Sequence, residues 1–151
     1  MNVRPARASD AALISDFNVR LARETENRRL NRLRVRRGVA ALLKDGSKGT
    51  YFLAEEEGVV AGQLSITYEW SDWRNGNFWW IQSVYVAPEF RQHGVFRALY
   101  AHVHELAKSR GDVCGLRLYV DVDNNPAQRT YKKLGMSETH YKFFETDFVL
   151  K

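Results

Sequence analysis

Val84-Tyr85-Val86-Ala87-Pro88-Glu89-Phe90-Arg91-Gln92-His93-Gly94-Val95-Phe96 is the stretch whose reading decides the fold. It reads as a strand running into a loop over Ala87–His93, followed by a helix. From Phe96 apolar residues recur at Leu99, Val103 and Leu106, with Ala107 beside them, the three-and-four spacing of one buried helical face. Strand, basic loop and helix in that order place three attractions for an anion together: the unpaired N–H groups of the first helical turn, the positive end of the helix dipole, and Arg91. Phosphate is the anion such a cradle suits.

Around this centre the chain punctuates itself clearly. Val3-Arg4-Pro5 predicts a short edge strand, because proline cannot donate within a central ladder. After Ser9-Asp10, Leu13, Ile14, Phe17 and Leu21 mark the inner side of a first helix fraying through Arg23–Asn27, and a second helix is expected over about Asn31–Lys44. Tyr51–Glu55 and Val59–Tyr68 read as a hairpin across Glu56-Glu57-Gly58, and the Asn75-Gly76 pair predicts a reversal into a long strand over Phe78–Val86. Leu116, Leu118 and Val120 alternate as another strand. Asn125 before Pro126 predicts a helix start and Gly135 its stop. The aromatic tail Thr139–Val149 reads as a last strand. The order β-α-α-β-β-β-α-β-α-β predicts an α/β (α+β) fold, a mixed sheet with helices on both faces, in one domain over residues 1–151.

Two motifs carry a family resemblance. Arg91-Gln92-His93-Gly94-Val95-Phe96 resembles the Arg/Gln-x-x-Gly-x-Gly/Ala signature with which GNAT-superfamily N-acetyltransferases hold the pyrophosphate of acetyl-coenzyme A (acetyl-CoA), with Phe96 standing where the family has Gly or Ala. Downstream, Asn124 to Met136 is similar to the family segment Asn-x-x-Ala-x-x-x-Tyr-x-x-x-Gly, with Asn124, Ala127, Tyr131 and Gly135 in register. The resemblance implies an N-acetyltransferase using acetyl-CoA. It assigns the pantetheine amides to backbone groups of Val84, Tyr85 and Val86. The pyrophosphate falls to Arg91, Gln92, His93, Gly94, Val95 and Phe96 with Arg97, and the pantetheine surroundings to Asn124 and Ala127. Tyr131 takes the place of the general acid. It also implies that the strand ending at Val86 and the strand ending near Asp121 splay apart around the pantetheine arm. In the polyamine acetyltransferases of the superfamily a glutamate occupies the position of Gln82, which cannot itself take a proton, so a water chain fed by Glu24, Glu26, Glu69 or Asp72 is the alternative base.

The acceptor is expected to be a small-molecule amine, in a diamine-acetyltransferase-like relative, with a protein lysine or N-terminus next. Glu24, Glu26, Trp70, Trp80 and Gln82 are its candidate contacts. The four tryptophans, Trp70, Trp73, Trp79 and Trp80, read either as an aromatic wall for a cationic amine or as packing at the sheet end.

Composition narrows the alternatives. The chain has 44% hydrophobic and 13% aromatic residues and a net charge of +5, and no apolar run approaches the roughly 20 residues of a membrane span. No membrane association and no secretory leader are expected, and a cytoplasmic location, with a homodimer allowed. Cys114 is the only cysteine, which excludes an intrachain disulfide, and it reads as a buried structural thiol; no Cys/His cluster has metal-ligand spacing. Arg28, Arg29, Arg32, Arg34, Arg36 and Arg37 form a basic run. A nucleic-acid-binding helix is the competing class of function, and the solvated face of an amphipathic helix carrying Leu30, Leu33, Val39, Leu42 and Leu43 is the preferred reading.

Overall fold

The computed structural model describes residues 1–150. They form two compact units, Met1–Leu118 and the remainder from Tyr119. The first contains β1 (Asn2–Pro5), α1 (Ala11–Glu26), α2 (Arg32–Lys44), β2 (Thr50–Glu56), β3 (Val59–Ser71), β4 (Gly76–Val86), α3 (Val95–Ser109) and β5 (Val113–Arg117). The strands make one mixed sheet in sequence order, antiparallel throughout except for the parallel β4–β5 pair.

The pleat of β2 distributes the helices. Tyr51 and Leu53 point to one side and pack with Ile14 of α1 and Val39 of α2. Phe52 points to the other, its ring 5.3 Å from that of His102 on α3. Helices therefore cover both faces, as the element order implies. α3 is the most strongly amphipathic helix of this unit, with Val95, Leu99, Val103 and Ala107 buried at four-residue spacing. Full burial of a side chain such as Leu99 contributes about 1.5–3 kcal/mol. This inner face is rotated from the one expected, since Leu106 is exposed and Phe96 only half-buried. The stripe on α2 is likewise narrower: Val39 is buried, Leu42 and Leu43 are half-buried, Leu33 is exposed, and Leu30 precedes the helix.

Turn chemistry follows the sequence closely. Glu57 and Gly58 both take positive φ, 51° and 79°, as a two-residue hairpin requires. Asn75 does so at 51° before β4, which begins at Gly76. β5 starts three residues before the expected Leu116, because Asn77 N–H donates to Asp112 O at 2.8 Å and the ladder then runs from Val113 to Arg117. Gly115 fixes that register: a Cβ there would lie 2.7 Å from the Phe78 ring. Leu118 and Val120 fall outside the strand, and Cys114 is half-buried rather than buried.

The second unit is built on α4 (Asn125–Lys133). Its cap is Asn124, not Asn125: the Asn124 Oδ1 accepts from Ala127 N–H at 3.2 Å, which places Pro126 one residue further inside the first turn. At the other end Gly135, at φ 95°, lets its own N–H reach Lys132 O while Met136 N–H reaches Tyr131 O. Residues 139–150, the described part of the tail, form no strand. Its backbone donors turn inward to local side chains instead, Val149 and Leu150 N–H to Asp147 Oδ1 at 2.8 and 2.9 Å and Tyr141 N–H to Thr139 Oγ1 at 3.4 Å.

Candidate functional site

β4 is irregular where the site is expected. Gln82 pairs with Ser65 and Tyr85 with Gln63, so Ser83 and Val84 together oppose Leu64, and Ser83 takes a positive φ of 52°. This bulge re-aims the end of the strand. Gln63, fully buried, braces it by donating from Nε2 to Ser83 O at 3.0 Å and to Asn18 Oδ1 at 2.8 Å. Pairing of β4 with β5 spans only Asn77–Trp80. The segment Ile81–Val86, which includes Val84, Tyr85 and Val86, continues past that ladder.

The loop that follows is folded by its own backbone. Ala87 N–H bonds Ala61 O at 2.9 Å, Phe90 N–H bonds Ala87 O at 2.9 Å, and His93 N–H bonds Phe90 O at 3.3 Å. Gln92 at φ 66° and Gly94 at φ 77° are both left-handed, and Gly94 caps α3 with no side chain over the helix end. Left-handed residues beside a helix start aim successive N–H groups into one concavity, an anion nest. Space is available there, since a Cβ at Gly94 would have nothing within 4 Å. Val95 seats the helix against β3 at Gly62, where an added Cβ would lie 2.8 Å from both Tyr85 O and Val95 Cγ1. Phe96 lies along its own helix, its ring 6.1 Å from that of Tyr100. Arg97 is exposed. His93 Nδ1 lies 3.2 Å from Glu56 Oε2.

Arg91 is engaged. Its Nη2 donates to Glu24 Oε1 at 2.7 Å and its Nε to Val86 O at 3.0 Å, with the guanidinium over the Tyr85 ring at 5.5 Å. Glu24 Oε2 accepts from the Tyr85 hydroxyl at 2.5 Å. That hydroxyl and Arg91 hold the Glu24 carboxyl below its ordinary pKa, while burial and Glu24 raise that of Tyr85. A residue assigned from sequence to the acceptor, Glu24, is thus tied to two assigned to the cofactor. The motif spacing carries no trace of this, because α1 lies far upstream. Glu26 is exposed.

The other candidates separate. Gln82 Nε2 donates to Thr67 Oγ1 at 2.5 Å. Glu69 Oε1 accepts from Trp80 Nε1 at 3.2 Å and from Arg117 at 2.6 Å. The tryptophans do not share one environment: Trp79 is buried against Tyr68, whereas Trp70 and Trp73 are exposed. In the second unit Tyr131 is half-buried, and burial raises its hydroxyl pKa. Asn124 and Ala127 are joined by the helix cap. No group of three or more metal-ligating side chains occurs among the described residues, and no helix there is long and apolar enough to cross a membrane.

Residues 15–136, which hold both motifs and the bulged strand, match the model of the acetyltransferase (GNAT) family. The chain belongs to this family. It is 34% identical over 86 residues to a candidate [ribosomal protein bS18]-alanine N-acetyltransferase of Bacillus subtilis (strain 168), covering 57% of this chain and 52% of that protein. The chain spans about half the length of the curated relatives it matches. A possible acetyltransferase from Clostridium difficile 630 superposes with a TM-score of 0.92 at 42% identity, over 98% of this chain and 97% of that one. A Clostridium acetobutylicum predicted acetyltransferase, crystallised with acetyl-CoA, shares the fold at a TM-score of 0.76 and 20% identity, over 98% and 96% of the two chains.

Proposed function

We propose that the protein is an N-acetyltransferase that moves the acetyl group of acetyl-CoA to a primary amine, with residues 1–151 acting as one domain. The observation that carries this reading is the bulged end of β4 leading into a loop with two left-handed residues and an α3 N-terminus without a side-chain cap. Those features fit a diphosphate: open space at Gly94, the first-turn N–H groups of α3 with no side-chain cap, and Arg97 exposed in that turn. Val84, Tyr85 and Val86 would hold the pantetheine amides through their backbone, and Arg91–Arg97 the pyrophosphate. Acetyl-CoA supplies a thioester whose carbonyl carbon accepts the amine nitrogen as its C–S bond breaks.

The chain's own part is to orient the two reactants, stabilise charge on the carbonyl oxygen and return a proton to the thiolate sulfur. Tyr131 is the proposed donor. A tyrosine hydroxyl is protonated at neutral pH, the state an acid needs, and burial shifts Tyr131 further in that direction. The amine must lose a proton, and Gln82 cannot take it, so water leads that proton away. A small-molecule acceptor is our first reading; the resemblance to a protein alanine N-acetyltransferase supports a polypeptide N-terminus as the second. A diamine loses support from the carboxylates, since Glu24 and Glu69 already face arginines. The test is calorimetric titration with acetyl-CoA, followed by thiol release across a panel of amines and peptides. Absence of acetyl-CoA binding would sink the assignment.

A further inference from the structure

Between α1 and α2 lies a hollow of about 370 Å³ lined by Val19, Arg23, Arg28, Arg29, Leu30 and Arg32. Four arginines thus converge on one concavity from the end of a helix, the connection after it and the start of the next. Arg34, Arg36 and Arg37, by contrast, are simply exposed on α2. Asn27 produces the convergence: at φ 49° it ends α1, and Arg28 N–H returns to Ala22 O at 3.1 Å, folding the connection back over the helix end.

Little neutralises these charges. Arg32 lies 3.9 Å from Asp16, which Arg20 holds at 3.0 Å, and the side chains of Arg23, Arg28 and Arg29 make no ion pair among the described residues. Glu24 is turned to Tyr85 and Arg91. The positive end of the α2 dipole adds to the field. Like charges crowded around a concavity repel one another, and an anion bound among them relieves that repulsion.

α1 links the hollow to the end of β4. Glu24 on α1 touches Tyr85 at the end of β4, and Arg23 is the preceding residue, about 100° around the helix. We propose that the hollow receives the anionic part of the acceptor, so that the substrate is an amine also carrying a phosphate or a pair of carboxylates. This rests on the acetyltransferase reading above and narrows it: Arg23, Arg28, Arg29 and Arg32 bind the anion while the amine reaches the end of β4.

Steady-state thiol release tests this with matched acceptors: aminohexyl phosphate against aminohexanol, glycyl-glutamate against its diamide, and spermidine as a polycation. The anionic member of at least one pair should exceed its neutral partner about tenfold in kcat/KM, and the pair that does so identifies the anion. Arg28→Gln/Arg29→Gln should raise the KM for that acceptor about tenfold, leaving kcat, the melting temperature and the acetyl-CoA Kd close to wild type. Arg23→Gln, on a helix rather than in the connection, should act in the same direction. Equal or better turnover of the neutral acceptors or of spermidine would overturn the inference while leaving acetyl transfer intact. A loss of acetyl-CoA affinity in the double variant would also overturn it, assigning the arginines to the cofactor. Failure of the wild-type protein to bind acetyl-CoA at all would overturn both readings.

Discussion

Arg91 offers the sharpest test of the cofactor loop, because its present partners set the size of the effect. Contact with the pyrophosphate requires it to leave Glu24 Oε1, 2.7 Å away, in a pair whose side chains are 47% and 39% exposed. Such a pair contributes about 0.2–1 kcal/mol. A charge-assisted bond to phosphate contributes about 1.5–3 kcal/mol, so the net gain is about 0.5–2.8 kcal/mol. Arg91→Ala should therefore weaken acetyl-CoA binding about 2- to 100-fold by calorimetry. Its effect on folding should be small, because Glu24 keeps its bond from Tyr85 and stays partly hydrated. A loss of up to about 1 kcal/mol corresponds to at most about 2–4 °C in melting temperature at this chain length.

Glu24→Gln separates two ways in which Arg91 could matter. If Arg91 contacts phosphate directly, releasing it from Glu24 should leave binding unchanged or tighten it up to about fivefold. If Arg91 serves only to pin the loop to α1, both variants should weaken binding alike. Unchanged affinity in Arg91→Ala would refute the placement of the pyrophosphate, and parallel losses in the two variants would refute direct contact.

Tyr131→Phe keeps the ring and removes the hydroxyl; if that hydroxyl is the acid, turnover should fall about 10²- to 10⁴-fold while acetyl-CoA affinity and melting temperature stay near wild type. Full activity with the best acceptor would transfer the role to water. Gly94→Ala meets no neighbour within 4 Å, so its cost is left-handed backbone strain alone, about 1–2 kcal/mol and roughly 2–8 °C in melting temperature, with weaker acetyl-CoA binding as the loop relaxes. Unaltered stability and affinity would contradict the left-handed loop. Arg4 donates to Asp10 at 2.9 Å and holds its carboxyl below the ordinary range, so this stabilisation is complete above the unfolded aspartate pKa, near 4, and is lost as pH falls through the lower folded value. Melting curves should thus decline below about pH 4, and Asp10→Asn should flatten that decline; an identical acid limb in the variant would count against the pair.

The parts of the fold legible in the sequence are those that local chemistry dictates. Asn75-Gly76 and Glu57-Gly58 announce hairpins because few residues accept positive φ, and Leu99, Val103 and Ala107 announce α3 because burial demands that spacing. What stays hidden depends on distant partners. The tail from Thr139 has strand-like composition, yet strand formation needs an edge to pair with, and its donors instead meet Thr139 and Asp147 nearby. The Glu24–Tyr85–Arg91 contacts join residues 61 and 67 positions apart. The basic hollow needs a left-handed Asn27 that no glycine or proline signals.

Phe96 shows why a departure from a motif can be accommodated. Small residues in such a loop meet two separate demands: a backbone conformation that other side chains resist, and close approach of the helix to the sheet. Gly94 meets the first, at φ 77°. Gly62 on β3 meets the second, since only its missing Cβ lets Val95 settle against the strand beside Tyr85. With both demands met elsewhere, the third position need supply little more than a backbone N–H to the helix start. A large ring is then tolerable there if it lies along the helix, where it packs near Tyr100. The cradle therefore depends on Gly94 and Gly62 more than on Phe96, although only the first of those glycines belongs to the motif.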